Sequence, residues 1–369
     1  MLFFSLFFFG YTAYSQNDFG GSSLGVGGAP VGLNNSVECG LYNPAGFIGV
    51  EKLNVFAGFN VTKGEAQYPH ISEPMDIANL NYIFPDYLGI VFPFRKDFFF
   101  GFSLSMPYRL SRTSPLFFTA VDTSPQGYQE IPGDYTESEK FYFLNPSVGK
   151  VINDRFSVGL NMGMFWKNSR SVDDFDDSTG YEDISLSMDK YGVEPCLGLQ
   201  YKASDILSLG FIIKKGFGKA YRETFYGVAS SIESDESLPL VVGFGTGINL
   251  KDRVYINLSA EYLQWTLAYS EGYVESDEYR NVVRVHLGGQ YRINDLLSLS
   301  AGFYNEPYQM KLSPLAYHSD SYDQIFLSGG VGLDFGRVAL NLGAASSALI
   351  KKDPSFREEN HLNVSLVYR

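Results

Sequence analysis

From about residue 51 onward the chain alternates apolar and polar side chains in short runs separated by turn-forming residues. Leu53, Val55, Ala57, Phe59 and Val61 interleave with Asn54, Phe56, Gly58, Asn60 and Thr62; Phe156, Val158, Leu160, Met162 and Met164 interleave with Ser157, Gly159, Asn161 and Gly163. The pattern returns in Val283, Val285 and Leu287 against Arg284, His286 and Gly288, and in Leu362, Val364, Leu366 and Tyr368 against His361, Asn363, Ser365 and Arg369. Period two is the mark of a β-strand whose faces meet different surroundings. The runs number about fourteen, near 51–62, 82–94, 98–110, 140–152, 155–168, 185–202, 206–219, 238–250, 253–268, 279–292, 296–308, 322–335, 337–349 and 360–369. They are joined on one side by very short charged turns, Arg95-Lys96-Asp97, Asn153-Asp154-Arg155, Ser204-Asp205, Lys251-Asp252-Arg253, Asn294-Asp295 and Gly336-Arg337. On the other side lie longer polar connections, near 63–80, 111–138, 169–185, 222–237, 268–280, 309–322 and 350–359.

Alternation alone does not say which face is inside, because a soluble sandwich hides its apolar set and a membrane barrel displays it. Three features favour the barrel. Short turns on one side and long loops on the other are the asymmetry of outer-membrane barrels. The polar sets are small and Gly-rich, with charge gathered into connections such as Asp173-Asp174-Phe175-Asp176-Asp177 and Glu275-Ser276-Asp277-Glu278. Aromatic residues recur near run ends, among them Tyr142, Phe143, Trp166, Tyr201, Tyr221, Tyr262, Trp265, Tyr291 and Tyr304, where rings would mark the membrane interfaces. The last run, LNVSLVYR, is expected to be the strand that closes the barrel.

Composition agrees with a β reading and removes other classes. The 369 residues include 38 Gly, 26 Tyr and 31 Phe against two Trp and two Cys. Mean hydropathy is -0.08, and after the N-terminus no apolar run approaches the roughly 18 residues of a membrane-spanning helix. A net charge of -13 with no dense Lys/Arg block disfavours nucleic acid as a partner. At the start, LFFSLFFFGYTA leads into Ala13-Tyr14-Ser15, read as an export signal over residues 1–15, although no Lys or Arg precedes it. A buried N-terminal strand is the other reading of that run.

Residues 16–50 do not alternate. GGSSLGVGGAPVGLNNSVECGLYNPAGFIGV is Gly-rich, of low charge and partly apolar, which suits neither a lipid-facing strand nor an exposed linker. Such a segment is ordered only against another surface, and a plug inside the lumen supplies one, with Asn43-Pro44 fixing a turn. The run G-x-G-G-A followed by Leu41-Tyr42-Asn43-Pro44-Ala45-Gly46 ahead of the first strand resembles the N-terminal hatch and Asn-Pro-Ala motif of the FadL/TodX-type outer-membrane transporters of long-chain fatty acids and aromatic hydrocarbons. The resemblance extends over the layout of the whole chain. It implies an all-β, fourteen-stranded transmembrane antiparallel barrel (51–369) holding an N-terminal hatch (16–50) with motif residues Asn43, Pro44 and Ala45. It also implies passive uptake, with the ligand released after the hatch shifts, sideways through a gap at a kinked third strand. Pro107 in FFFGFSLSMPYRL suits such a kink, because proline deletes a ladder hydrogen bond; a strand end leading into a loop is the alternative. The PorV-type barrels of the type IX secretion system look similar in hatch and strand number and shuttle secreted protein cargo, so a shuttle is the alternative function. An adhesive barrel acting through its acidic loops is a third.

No enzyme signature appears. The four histidines, His70, His286, His318 and His361, lack metal-ligand spacing, no G-x-S-x-G elbow occurs, and Gly243-Phe244-Gly245-Thr246-Gly247 falls within a strand. No cofactor or metal is expected, and the acidic stretch 173–183 reads as solvated surface. Cys39 in the hatch and Cys196 on an inward position are a candidate disulfide tether. Inward charges Lys167, Lys214, Arg284, Glu194 and Glu261 are expected to pair with one another or with the hatch, because an unpaired charge in a low-dielectric lumen is costly; Arg284 is the candidate contact for a ligand carboxylate. Leu116, Phe117 and Phe118 beside Pro115 form either an oily landing site or a loop packed over the barrel mouth. The expected partners are a small hydrophobic ligand and outer-membrane lipid, in a monomeric barrel.

Overall fold

The computed structural model describes residues 21–28, 31–32, 42–47, 50–66, 75–80, 87–95, 97–120, 129–175, 184–226, 228–270, 279–309, 311, 323–349 and 357–369. The expected export signal, Cys39 and the acidic segment 275–278 lie outside these residues. The described chain forms fourteen antiparallel strands: β1 (Asn54–Ala66), β2 (Met75–Leu80 and Tyr87–Arg95), β3 (Phe98–Ala120), β4 (Gln129–Asn153), β5 (Phe156–Phe175), β6 (Ile184–Lys202) and β7 (Leu207–Tyr226). They continue as β8 (Val228–Leu250), β9 (Val254–Gln264 and Tyr269–Ser270), β10 (Val282–Arg292), β11 (Leu297–Glu306), β12 (Gln324–Asp334), β13 (Val338–Ser346) and β14 (Arg357–Tyr368). A 3-10 turn, Trp265–Leu267, interrupts β9. Each strand pairs with its chain neighbours, and β14 returns to β1 from Val55↔Tyr368 to Ala66↔Arg357, so the sheet closes without a free edge.

The short turns fall where the charged punctuation placed them. At the β8–β9 turn Lys251 and Asp252 both take positive φ, 54° and 55°, which matches hairpin twist. Asn249 steadies that costly conformation by accepting from the Asp252 N–H at 3.0 Å.

Burial settles the direction of the alternation. Each of the fourteen strands presents a large apolar side chain outward, with Leu197 45% and Leu287 47% exposed, whereas inward Gln200 and Asn363 are 1% exposed. A soluble sandwich would show the reverse. A closed sheet with an oily exterior and a polar inner wall is built for hydrocarbon. On β6 the outward Tyr201 and Tyr191 stand ten residues apart, about 33 Å along the strand and roughly 25 Å once tilted by about 40°, the height of the apolar band of such barrels. Tyr142 and Trp166 stack at 5.5 Å beside the upper of these two rings. Phe143, Trp265 and Tyr304 correct the aromatic-girdle expectation: their parity turns them inward, and they are buried.

The barrel is taller on one side than the sequence suggested. β3 to β8 run 19 to 25 residues, against 9 to 12 for β10 to β14. The connections expected at 111–138 and 222–237 are largely strand, with pairing continuing to Ala120↔Gln129 and Tyr226↔Val228. Beyond the membrane both faces of a strand meet polar surroundings, so the alternation that marks a strand fades while the backbone ladder persists.

Candidate functional site in the barrel lumen

The described pieces of the N-terminal segment, including a one-turn helix α1 (Gly21–Gly25), lie against the inner wall. Wall side chains hold the segment by its backbone. Ser157 Oγ donates to the Ala45 carbonyl at 2.8 Å, Gln200 Nε2 and Ser208 Oγ donate to the Gly32 carbonyl at 3.1 and 3.0 Å, and His286 Nδ1 lies 2.9 Å from the Gly27 carbonyl. Asn43, fully buried, is the hub. Its Nδ2 reaches the carbonyls of Val31 (3.0 Å) and Leu199 (3.2 Å) and Gln200 Oε1 (3.2 Å), while its Oδ1 accepts from the Ala45 N–H at 3.1 Å. The last of these, with Gly46 N donating to the Asn43 carbonyl, is the turn expected at Asn43-Pro44.

Inward glycines make room for this backbone. A Cβ at Gly159 would fall 2.2 Å from the Pro44 carbonyl carbon, at Gly210 1.9 Å from the Val31 oxygen, and at Gly288 1.9 Å from the Val26 oxygen. The contacts run round the wall against chain order, from Gly330 on β12, beside Gly25, to Gly101 on β3, beside Phe47. Each of these five lies within about five residues of a short turn, so the segment crosses the bore near that end. Phe47 and Tyr42 then pack with Phe56, Tyr87, Val91 and Phe99.

Above the segment the inner wall carries paired charge. Lys214 meets Glu194 at 3.3 Å, as expected of two charges withdrawn from water. Glu261 stands directly across from Arg284 in the β9–β10 register, so Arg284 faces a carboxylate of its own wall. Lys167 is half-buried on β5. A second network went unanticipated because its residues fall where loop was expected or near it: Glu236 binds both Lys190 (2.7 Å) and Arg222 (3.0 Å), and Arg222 also donates to Ser234 Oγ. Beside β10 to β14 runs a row of rings, His286 against Tyr304 (5.7 Å, 13° between planes), Tyr304 against Phe326 (4.6 Å, 6°) and Phe326 against His361 (5.3 Å, 50°). His361 Nδ1 lies 2.9 Å from Thr62 Oγ1 and its Nε2 lies 3.2 Å from Glu359 Oε2.

Of the expected disulfide pair, Cys196 is a free, buried thiol in an apolar cluster with Val31 and Ile212, and Cys39 lies outside the described residues. At Pro107 the β3–β4 register slips between Ser105↔Phe143 and Tyr108↔Phe141, leaving two residues opposite one. On the β2 side, among the described residues, pairing stops at Tyr87↔Ser105 and resumes at Ala78↔Ser111. The backbones of Leu116, Phe117 and Phe118 pair with 131–133, and their side chains lie outside the described ones. Among the described residues no group of three or more His, Cys, Asp or Glu is placed to hold a metal ion.

No family model and no curated protein matches the sequence. Solved structures do match. The Ralstonia pickettii toluene transporter TbuX superposes with a TM-score of 0.65 at 14% identity, covering 96% of this chain and 98% of its own. A Pseudomonas aeruginosa FadL homologue gives 0.71 at 15%, covering 96% and 98%, and the P. putida toluene transporter TodX gives 0.63 at 15%, covering 96% and 97%. In fold, the chain is a fourteen-stranded antiparallel β-barrel similar to those of these FadL- and TodX-type structures.

Proposed function

We propose that this protein admits small hydrophobic molecules, long-chain fatty acids or aromatic hydrocarbons, passively across the outer membrane. Residues 16–50 act as the hatch, with Asn43, Pro44 and Ala45 at its anchored end, and the ligand leaves sideways into the bilayer at the bulge around Pro107. The observation that carries this reading is a closed, oily-walled barrel whose inner glycines are shaped to a separate piece of chain crossing its bore. A permanently sealed structural barrel needs no such removable element. Single side-chain bonds to the segment's backbone, from Ser157, Gln200, Ser208 and His286, are individually weak, so the segment leaves without unfolding the wall. Arg284 meets a ligand carboxylate by exchanging it for Glu261. The test is uptake of labelled toluene and labelled oleate by cells with and without the protein. Uptake falls on deletion if the reading is right; undiminished uptake of both overturns it.

A further inference from the structure

Above the stacked rings of Tyr142 and Trp166, the outer face of β4–β6 carries two exposed cations, Lys140 and Arg170. Strand parity places them. Lys140 is one outward step from Tyr142 toward the long connections, and Arg170 is two such steps from Trp166. Lys140 stands across from Asn168, and Arg170 across from Ser138 on one flank and Ser187 on the other. The two cations are therefore diagonal neighbours, roughly 7–8 Å apart at their Cβ atoms, and two long side chains span that gap to reach one group.

Among the described residues neither of these side chains makes an ion pair or a hydrogen bond. Nearby charge is answered within the wall. Lys219 on β7 pairs with Glu233 on β8, and Asp189 on β6 accepts from Asn168 Nδ2 at 2.7 Å. Glu223 on β7, across from Ser187, bounds the patch. Near the short turns, Lys150 lies over the Phe98 ring at 5.0 Å. Two open cations side by side, in a chain of net charge -13, call for an anion from outside the protein. The rings below them mark where hydrocarbon ends, so the cations face the headgroup layer. A phosphate ester suits them, because Lys and Arg both donate to its oxygens and the Ser138 and Ser187 hydroxyls add two further donors. A zwitterionic headgroup brings its own ammonium to its phosphate; a phosphorylated sugar headgroup brings none.

We propose that the outer face of β4–β6 binds a phosphorylated glycolipid of the outer leaflet, lipid A being the chemical class, with one phosphate held between Lys140 and Arg170 and the acyl chains lying against Tyr142 and Trp166. The inference rests on the outer-membrane placement in the uptake reading above and adds to it a lipid partner on the outside of the barrel, apart from the lumen.

The test is native mass spectrometry of the full-length protein in detergent, titrated with bis-phosphorylated lipid A, with the same lipid stripped of its phosphates, and with lipid A in the presence of inorganic phosphate. Wild type retains one lipid A molecule at concentrations where the stripped lipid is not retained. Lys140→Gln and Arg170→Gln each weaken retention about fivefold, and the two together about twenty-five-fold, the scale of one surface cation against an anionic headgroup. Lys150→Gln, at the other end of the wall, leaves it unchanged. Equimolar inorganic phosphate does not displace the lipid, whose chains the two rings hold. The single variants keep the test open if the double variant loses its heat-modifiable gel shift. Equal retention of the two lipids, displacement by inorganic phosphate, or full retention by the Lys140 and Arg170 variants overturns the inference. Uptake is read separately in cells, so a failure here with labelled oleate or toluene still admitted sinks this inference alone, and lost uptake dependence with lipid A retained sinks only the uptake reading.

Discussion

Replacing Asn43 by Ala loosens the N-terminal segment from the wall while leaving the wall itself intact. The substitution removes four hydrogen bonds made by one buried side chain, but their losses are unequal. The Leu199 carbonyl belongs to a strand, and Gln200 keeps its bond to Gly32, so both retain other partners. The Val31 carbonyl and the Ala45 N–H lose the bonds drawn to them by Asn43, at about 1–3 kcal/mol each. Allowing for relaxation, docking of the segment weakens by roughly 3 kcal/mol, and at about 1.4 kcal/mol per factor of ten the undocked population rises on the order of a hundredfold. The barrel ladder is untouched, so the heat-modifiable gel shift persists. Hydrogen exchange of the protein in lipid nanodiscs reads the effect directly: amides of residues 42–50 lose protection by about two orders of magnitude while those of β5 and β6 hold theirs. Uniform loss across the strands, or unchanged protection at 42–50, refutes the view that Asn43 holds a separable element.

Gly159→Val drives a side chain into Pro44, and because the obstruction is backbone rather than a yielding side chain, the segment is displaced; ion conductance in planar bilayers rises while the barrel stays folded, and wild-type conductance would count against it. Leu197→Arg, midway between Tyr191 and Tyr201 on the lipid side, lowers folding stability in lipid vesicles by roughly 2–4 kcal/mol, whereas Phe335→Arg at a short turn costs about 0–1 kcal/mol. Equal costs would contradict the membrane placement. Glu236→Gln leaves Lys190 and Arg222 buried without the carboxylate they share, a loss of roughly 3–5 kcal/mol seen as a lower urea midpoint, and Lys190→Met in the same background recovers part of it.

Much of this molecule was written into the order of its residues. Period-two alternation in runs such as 156–164, charged two- or three-residue turns and the absence of any long apolar stretch fix fourteen strands and an up-and-down closure, because a strand's two faces are set by parity alone. The Gly-rich, non-alternating character of 16–50 marked it as chain needing a partner surface. Parity could not say whether the apolar side met lipid or a core; only closure into a barrel with Leu197 and Leu287 outside decided that. It equally could not anticipate that β3–β8 rise past the membrane, since a strand wetted on both faces loses its signature. Nor could it pair residues distant along the chain. Asn43 with Gln200 and Leu24 with Phe326 are neighbours because the N-terminal segment travels round a wall built later in the sequence, and Glu236 with Lys190 because both side chains reach over β7 on the inner face; those paths exist only in three dimensions.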